Sequence, residues 1–260
     1  MIAIDFGFGP IEAEFWRWMF LMTRIGAALV AAPLFGMVNV PPQVRVITAG
    51  AIALLVAGWT NVQAPAHLFS ASGLLAVAGE VLVGTAMGFV LQFAFAAPLI
   101  AAEMIGGGMG MSIAASVDPQ SGRSSPALGQ YFTVVLTLVF FGVGAHLHWI
   151  ALVVKSYTVF APGQTWLGPD RFMEIVSFGS TLFATALAMA LPVTLMLLLV
   201  MVVAGVLSRS APALNLFSLG LPVTIAGGFA ALIATAPILT DRMVELSAQA
   251  IAASGRLIGV

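Results

Sequence analysis

Long apolar segments separated by short polar connectors occupy most of this chain. The apolar runs lie at about 15–35, 46–59, 74–115, 131–154, 172–207 and 216–239, and a more polar tail follows at 240–260. A helix needs roughly 20 apolar residues to cross the hydrocarbon core of a bilayer. The run at 46–59 is short for one crossing, whereas those at 74–115 and 172–207 are too long for a straight one. The pattern therefore predicts a helical membrane protein, or the interior subunit of one, whose helices are not all simple spans.

The two longest runs contain residues that interrupt helices. The run at 74–115 has Pro98 and then the glycine-rich stretch 106–110. Because glycine weakens a helix by roughly 1 kcal/mol relative to alanine, we expect two helices here or one bent helical hairpin. Pro192 predicts a kink in the run at 172–207. The tail at 240–260 has a helical pattern with charges of both signs, and we expect an exposed or partner-bound helix.

Composition narrows the class of protein. The chain has 260 residues, of which 61% are hydrophobic and 7% are charged, whereas soluble domains are about 25% charged. The net charge of −1 argues against nucleic acid as a partner, and the absence of cysteine excludes disulfides and thiolate chemistry. The acidic start of the chain predicts no cleaved signal peptide, and the basic residues show too little bias to orient the protein.

The glycine-rich stretch is awkward for a helix that faces lipid. A broken backbone in the hydrocarbon region leaves N–H and C=O groups without partners, at several kcal/mol each. The stretch at 106–110 must therefore lie against protein or line a water-filled space. The alternative is that glycines only allow close helix packing, as Gly84 and Gly88 would in a face of small residues four apart. The residues alone leave both interpretations open.

Charges inside the apolar runs need partners. Arg24 falls near the middle of the first run, where a charge costs at least ~2.5 kcal/mol on insertion scales. An acid on a neighbouring helix and a wet groove are equally good explanations. Glu80 and Glu103 are the only charges of the run at 74–115, and their separation gives no reason for them to meet. Pairing of these acids with Arg17, Arg24 or Arg45 is favoured over acid–base catalysis.

Metal and hydrolase chemistry are poorly supported. His146 and His148 are two residues apart and point in different directions on a helix, whereas helical metal pairs are three or four apart. Ser112 with one of these histidines as its base would make an intramembrane serine hydrolase. The stretch lacks the glycine that follows the serine in a nucleophile elbow, and labelling of Ser112 by a fluorophosphonate would be needed to support this class. We expect no enzyme, no metal and no cofactor.

A secondary transporter is the other alternative, because broken helices also mark substrate sites in transporters. Such a protein shows corresponding broken segments in its two halves. The glycine-rich stretch has only faint counterparts in the second half, at Pro192 and at Gly227 and Gly228. Uptake of small solutes by the purified protein in vesicles would favour this class.

Several short motifs, taken in order, resemble one family. They are Glu103 to Gly106 with Met109 and Gly110, Val117–Asp118–Pro119, Ala145–His146–Leu147, Leu207 to Pro212 with Asn215, and Phe217, Gly220 and Pro222, preceded by Arg24, Pro33, Pro42 and Arg45. Each motif alone is weak, but their order and spacing over nearly the whole chain resemble the FliR family. These are the R subunits of the flagellar type III export gate, and their virulence counterparts serve the injectisome export apparatus.

The resemblance implies one all-helical export-gate subunit built of long helical hairpins, with a P-like part at about 1–170 and a Q-like part at about 171–260. It implies assembly with P and Q subunits around a pore through which unfolded flagellar proteins cross the bacterial inner membrane at the basal body. Part of the assembled gate would stand on the periplasmic side. The A subunit of the gate and the B subunit of the export switch are further implied partners, and no catalytic residue or cofactor is implied.

The resemblance also implies a pore plug in the loop at 106–123, which favours the conduit over simple packing. The plug residues would be Glu103, Gly106, Gly107, Gly108, Met109, Gly110, Met111, Asp118 and Pro119. The residues implied for assembly are Arg24, Arg45, Glu80, His146, Arg209, Pro212 and Asn215. Gly108 replaces the glutamine usual in the family, which should loosen the loop further, and Ala145 is a second departure. Methionine side chains add apolar bulk that adapts its shape.

Overall fold

Seven helices make up the described part of the chain. The computed structural model describes residues 10–37, 40–60, 62, 65, 68–111, 126–161, 168–210 and 216–260, and no strand is found within them. The helices are α1 (Pro10–Ala31), α2 (Pro42–Trp59), α3 (Ala71–Gly108), α4 (Pro126–Gly142), α5 (Ala145–Val159), α6 (Pro169–Ser210) and α7 (Leu216–Ile258). The predicted all-helical class is confirmed.

Four of these helices, α2, α3, α6 and α7, are long and apolar enough to cross a membrane, and α4 and α5 give a fifth span if they are counted together. Helix α2 has 18 residues, because it begins at Pro42, four residues before the predicted run. Proline suits the first turn of a helix, where its missing N–H would have no helical partner. Large apolar side chains such as Leu199 and Ile233 are exposed along these helices. That surface fits lipid or neighbouring protein rather than water.

The predicted break inside the run at 74–115 is found at the glycines and not at Pro98. Helix α3 continues through Pro98 and ends at Gly108, residues 109 and 110 form a turn, and Met111 is helical again. A proline removes one backbone hydrogen bond, and the loss is tolerated where neighbouring elements hold the helix in place. Ala97 and Ala101, which flank Pro98, are completely buried. Helix α6 likewise continues through Pro192.

The prediction for the tail at 240–260 is wrong in part. The tail is helical, but it is the continuation of α7 through Pro222 and Pro237. Met243, Leu246 and Ala250 are buried, so one face of the tail packs within this chain. Their spacing of three or four residues is the stripe by which a helix faces a core. The mixed charges occupy the remaining, exposed face.

The chain divides into two compact units. The first comprises Met1–Phe93, Gly144–Gly179 and Gln249–Val260, and the second comprises Ala94–Val143 and Ser180–Ala248. Helix α3 contributes to the first unit as far as Phe93 and to the second from Ala94. The P-like and Q-like parts implied by the resemblance follow a different boundary and stay a prediction.

The first unit is tied together by side chains that hydrogen-bond to the backbone of another helix. The indole N–H of Trp18 in α1 donates to the carbonyl of Gly50 in α2 at 2.9 Å. The indole N–H of Trp149 in α5 donates to the carbonyl of Met87 in α3 at 3.3 Å. Buried tryptophan N–H groups need such partners, and here the partners fix which helix faces which.

The second unit has an apolar core in which glycines allow close approach. The rings of Phe95 in α3 and Phe140 in α4 meet edge to face, with their centroids 5.7 Å apart. A Cβ atom added at Gly227 in α7 would lie 3.1 Å from the side chain of Val200 in α6. The helices of this unit therefore pack through direct contact of small and large apolar side chains.

Candidate functional site

The glycine-rich end of α3 is the first candidate site. Ile105, Gly106 and Met109 are buried, whereas Gly107 is exposed. The last turn is closed by bonds from the Met109 amide to the Ile105 carbonyl at 2.9 Å and from the Gly110 amide to the Gly107 carbonyl at 3.0 Å. Gly110 has a φ of 78°, the left-handed conformation that commonly ends a helix and favours glycine. The helix therefore stops at the predicted stretch.

The Met109 side chain is held against α7 in the second unit. Thr224 Oγ1 donates a hydrogen bond to the Met109 carbonyl oxygen at 3.1 Å. A Cβ atom at Gly228 would lie 2.5 Å from Met109 Cγ and 2.7 Å from its sulfur, so only glycine leaves this space free. Met109 is 1% exposed. The end of α3 is thus fixed at one residue by a neutral hydrogen bond and a tight apolar contact.

An apolar cavity lies beside Met109. It has a volume of about 490 Å³ and is lined by residues that include Met109, Met111, Phe132, Phe229 and Met243. Three of these are methionines, whose unbranched side chains adapt to irregular space. Met111 lies at the wall of this cavity and is partly buried.

A buried charge cluster in the first unit is the second candidate site. Arg24 Nε donates to Glu80 Oε2 at 2.7 Å, and Arg24 Nη2 donates to Glu80 Oε1 at 3.0 Å. Arg24 Nη1 donates to Ser156 Oγ at 3.0 Å, and Arg24 Nη2 also donates to the Phe160 carbonyl at 3.1 Å. The guanidinium lies over the Tyr157 ring, 4.1 Å from its centroid. Both charged side chains are completely buried.

This cluster settles which arginine pairs with Glu80. Of the three arginines considered, Arg24 is the partner of Glu80. The charge of Arg24 is therefore met by an acid on a neighbouring helix and not by water in a groove. The pair is bidentate, the arrangement for which a planar guanidinium is suited. Arg24 and Glu80 join α1 to α3, and Ser156 joins both to α5. The cluster can hold three helices together, and it has no exposed face on which to meet another molecule.

The glycines of α3 near this cluster have a packing role. A Cβ atom at Gly84 would overlap the carbonyl oxygen of Arg24, and one at Gly88 would lie 2.6 Å from the carbonyl oxygen of Ala28. The close approach of α3 to α1 thus requires glycine at both positions. Close packing explains Gly84 and Gly88, while Gly107 has no atom within 4 Å of its added Cβ.

The other predicted site residues are scattered. Arg45 lies at the start of α2 and donates to the carbonyls of Met37 and Val40 in the connector from α1. Glu103 is exposed on α3, and His146 is half-buried in the first turn of α5. Asp118, Pro119, Pro212, Asn215, Ser112 and the side chain of Arg209 lie outside the described residues. No cluster of three His, Asp or Glu side chains suited to a metal ion is found in the part of the chain that the structure describes.

Sequence reasoning missed the residues that complete both sites. Ser156 and Tyr157 hold Arg24, but they lie just beyond the apolar run at 131–154 and carried no prediction. Thr224 and Gly228 were not connected with Met109. Their spacing of four residues on an apolar helix, one polar and one without a side chain, was the signal available.

Known proteins are similar to this chain over most of its length. The family model described as bacterial export proteins, family 1, matches residues 15–250. Flagellar biosynthetic protein FliR of Escherichia coli (strain K12) is 32% identical over 237 residues, covering 88% of this chain and 89% of that protein. The protein of the same name from Bacillus subtilis (strain 168) is 32% identical over 219 residues, covering 83% and 84%. That of Caulobacter vibrioides is 29% identical over 234 residues, covering 87% and 92%. The resemblance seen in the motifs is confirmed, and the chain belongs to the bacterial export proteins of family 1.

Proposed function

We propose that this chain is a non-catalytic R subunit of the flagellar type III protein export gate. Its relatives are named as flagellar biosynthetic proteins, and their similarity extends over most of both chains. Within the described residues, four helices are long and apolar enough to cross a membrane, and large apolar side chains remain exposed on them. The subunit completes a pore with P and Q subunits, through which unfolded flagellar proteins cross the inner membrane. Residues 1–170 form its P-like part and residues 171–260 its Q-like part.

The observation that carries this proposal is the end of α3. An apolar helix of 38 residues ends in a run of glycines that is held at Met109 and followed by Gly110 in the left-handed conformation. A segment of low bulk, fixed at one point, can close a passage and move aside for a chain. The proposed plug is the loop at 106–123, with Glu103 just ahead of it.

Deletion of residues 106–110 tests the plug in a flagellated bacterium whose own R subunit gene has been removed. The membrane should become leaky to small solutes while some filament assembly persists, because the pore remains but its closure is lost. A deletion of the same length at 162–166, in the connector between α5 and α6, is the control and should leave permeability normal. Unchanged permeability after deletion of residues 106–110 would refute the plug.

The partners follow from the proposed gate. They are the P and Q subunits, the A subunit of the gate, the B subunit of the export switch and the unfolded substrates. We place the complex at the flagellar basal body in the inner membrane, with part of it on the periplasmic side. The residues proposed to contact these partners are Arg45, His146, Arg209, Pro212 and Asn215, and Arg24 and Glu80 are proposed to support assembly by holding α1 against α3. Co-purification with tagged P and Q subunits, followed by native mass measurement, tests the complex and gives its subunit ratio.

The flagellar system is favoured over the injectisome because the relatives compared are named for flagellar biosynthesis. Expression of this chain should restore swimming to the flagellated strain that lacks its R subunit. Restoration of effector secretion in an injectisome strain, with no restoration of swimming, would reverse the assignment.

A further inference from the structure

Two residues of α7 hold the end of α3 and have no assigned role. We propose that Thr224 and Gly228 are positioning residues that form a seat for Met109. Met109 is a fixed anchor on this seat. This inference rests on the proposed plug, and it names the residues that locate the base of that plug.

The hydroxyl of Thr224 supplies a hydrogen-bond donor to a carbonyl group at the end of α3. Carbonyl groups at the C-terminal end of a helix have no N–H partner within the helix. The Met109 carbonyl lies at such an end and accepts from Thr224 Oγ1 at 3.1 Å. Thr224 is 7% exposed, so water competes little for the bond. The hydroxyl therefore fixes the backbone of α3 one residue before Gly110.

The space at Gly228 fixes the side chain of the same residue. Residues four apart lie on one face of a helix, so Thr224 and Gly228 face α3 together. The added Cβ at Gly228 would meet Cγ, Sδ and Cε of Met109 at 2.5 to 2.7 Å. Backbone and side chain of Met109 are thus held from the same face of α7. Met111, two residues on, is only partly buried.

Gly110, directly after this anchor, has a backbone conformation that favours glycine. Gly110 has a φ of 78°, which glycine adopts without the steric cost other residues have. A residue held by both its backbone and its side chain is the arrangement of an anchor. Met109 therefore stays on its seat during export.

A covalent bond across the seat tests whether Met109 stays there. The chain contains no cysteine, so the double variant Met109→Cys with Gly228→Cys has no background thiols. Because the added Cβ at Gly228 is 2.5 Å from Met109 Cγ, the two Cβ atoms are within about 4 Å, a separation that suits a disulfide. Mild oxidation of the gate in the membrane should form the bond, which a mobility shift after cleavage between α3 and α7 would show. Export should continue at the rate of the reduced protein.

The control is Met109→Cys with Gly227→Cys, because Gly227 faces Val200 and not Met109. Cross-linking of this pair in place of the 109–228 pair would overturn the seat. Cross-linking of the 109–228 pair with a loss of export that reduction reverses would overturn the fixed anchor, since Met109 would then have to leave. The disulfide is detected by the mobility shift alone and needs no export assay. A negative result for the plug in the deletion experiment can therefore be told apart from a negative result for the seat.

Substitutions at the seat test its positioning role. Gly228→Ala should raise solute entry about tenfold per assembled gate, the equivalent of ~1.4 kcal/mol, because Met109 is displaced. Gly205→Ala is the matched control, since its added Cβ has no atom within 4 Å, and its permeability should be normal. Thr224→Val should raise entry about fivefold, the equivalent of ~1 kcal/mol, and Thr224→Ser should restore closure. Equal leakage from Thr224→Val and Thr224→Ser would overturn the role of the hydroxyl.

Discussion

Helix α3 carries glycine in two places, and the surroundings give the two places opposite properties. Gly84 and Gly88 lie against the backbone of α1, where no side chain fits, and next to them Glu80 binds Arg24 in a completely buried pair. Gly107, in the second unit, has open space at its Cβ position, and the end of α3 is held by neutral contacts at Met109. A helix is therefore held rigidly at a glycine when another backbone packs into the space that the missing side chain leaves. It is held less rigidly at a glycine when that space is empty.

The kind of interaction reinforces this difference. A bidentate ion pair in a dry interior is hard to break, because removal of either partner leaves a buried charge. A threonine hydroxyl on a backbone carbonyl is a neutral bond with a net contribution of about 1 kcal/mol. The first arrangement therefore holds its helices more strongly than the second holds the end of α3.

Replacement of Arg24 with leucine should have the largest effect. It leaves the Glu80 carboxylate buried without its guanidinium, and breaking a buried pair in this way costs about 3–5 kcal/mol. We expect a marked loss of folded protein in detergent and weaker co-purification with neighbouring subunits, measured by thermal unfolding and by recovery of the complex. The double variant Arg24→Leu with Glu80→Leu should recover part of the loss, since no unpaired charge remains. Normal recovery of the single variant would contradict the structural role of the pair.

Addition of a methyl group at Gly84 should have the next largest effect. Its Cβ would overlap the carbonyl oxygen of Arg24, a backbone atom that cannot turn aside, and such overpacking costs about 1–3 kcal/mol. The melting temperature of Gly84→Ala in detergent should therefore fall. Gly58→Ala in α2 is the control, because its Cβ has no atom within 4 Å and it should melt no lower than the unaltered protein. Equal melting temperatures for both variants would mean that α3 and α1 are not in close contact.

The same substitution at Gly107 should act in the opposite direction. Alanine favours a helix over glycine by about 1 kcal/mol, and the position is exposed with no atom to clash with. The melting temperature of Gly107→Ala in detergent should therefore rise, whereas that of Gly84→Ala falls. A melting temperature lowered as far as that of Gly84→Ala would show that Gly107 lies as close to neighbouring atoms as Gly84 does.

The helices themselves could be predicted, because apolar runs bounded by polar connectors are a local signal. The positions at which one helix ends or continues could not be predicted. Pro98, Pro222 and Pro237 are helix breakers by local rules, yet α3 and α7 continue through them. Packing within the chain decides whether the lost hydrogen bond ends a helix, and the sequence contains no measure of packing. The glycine-rich stretch was correctly predicted as an interruption, because α3 ends at Gly108 and Met111 is helical again.

The candidate sites were predictable only in part. A buried arginine requires an acid, so Arg24 and Glu80 could each be marked, but they are 56 positions apart and three arginines competed. Ser156 is 132 positions from Arg24, and no periodicity connects them. Thr224 and Gly228 lie 115 or more positions from Met109, and small residues on an apolar helix are too common to single out. Long-range pairing depends on the fold, which no local pattern specifies.

Replacement of Arg256 with alanine should have the smallest effect among the charged residues compared. Arg256 pairs with Glu174 at 3.3 Å, and both side chains are about half exposed, in contrast to the 0% exposure of Arg24 and Glu80. Exposed pairs contribute 0 to about 1 kcal/mol, because water already solvates both charges. The melting temperature of Arg256→Ala should stay close to that of the unaltered protein at low salt and coincide with it at high salt. A loss as large as that of Arg24→Leu would mean that burial does not decide the strength of these pairs, and the contrast between the buried pair and the exposed pair would fail.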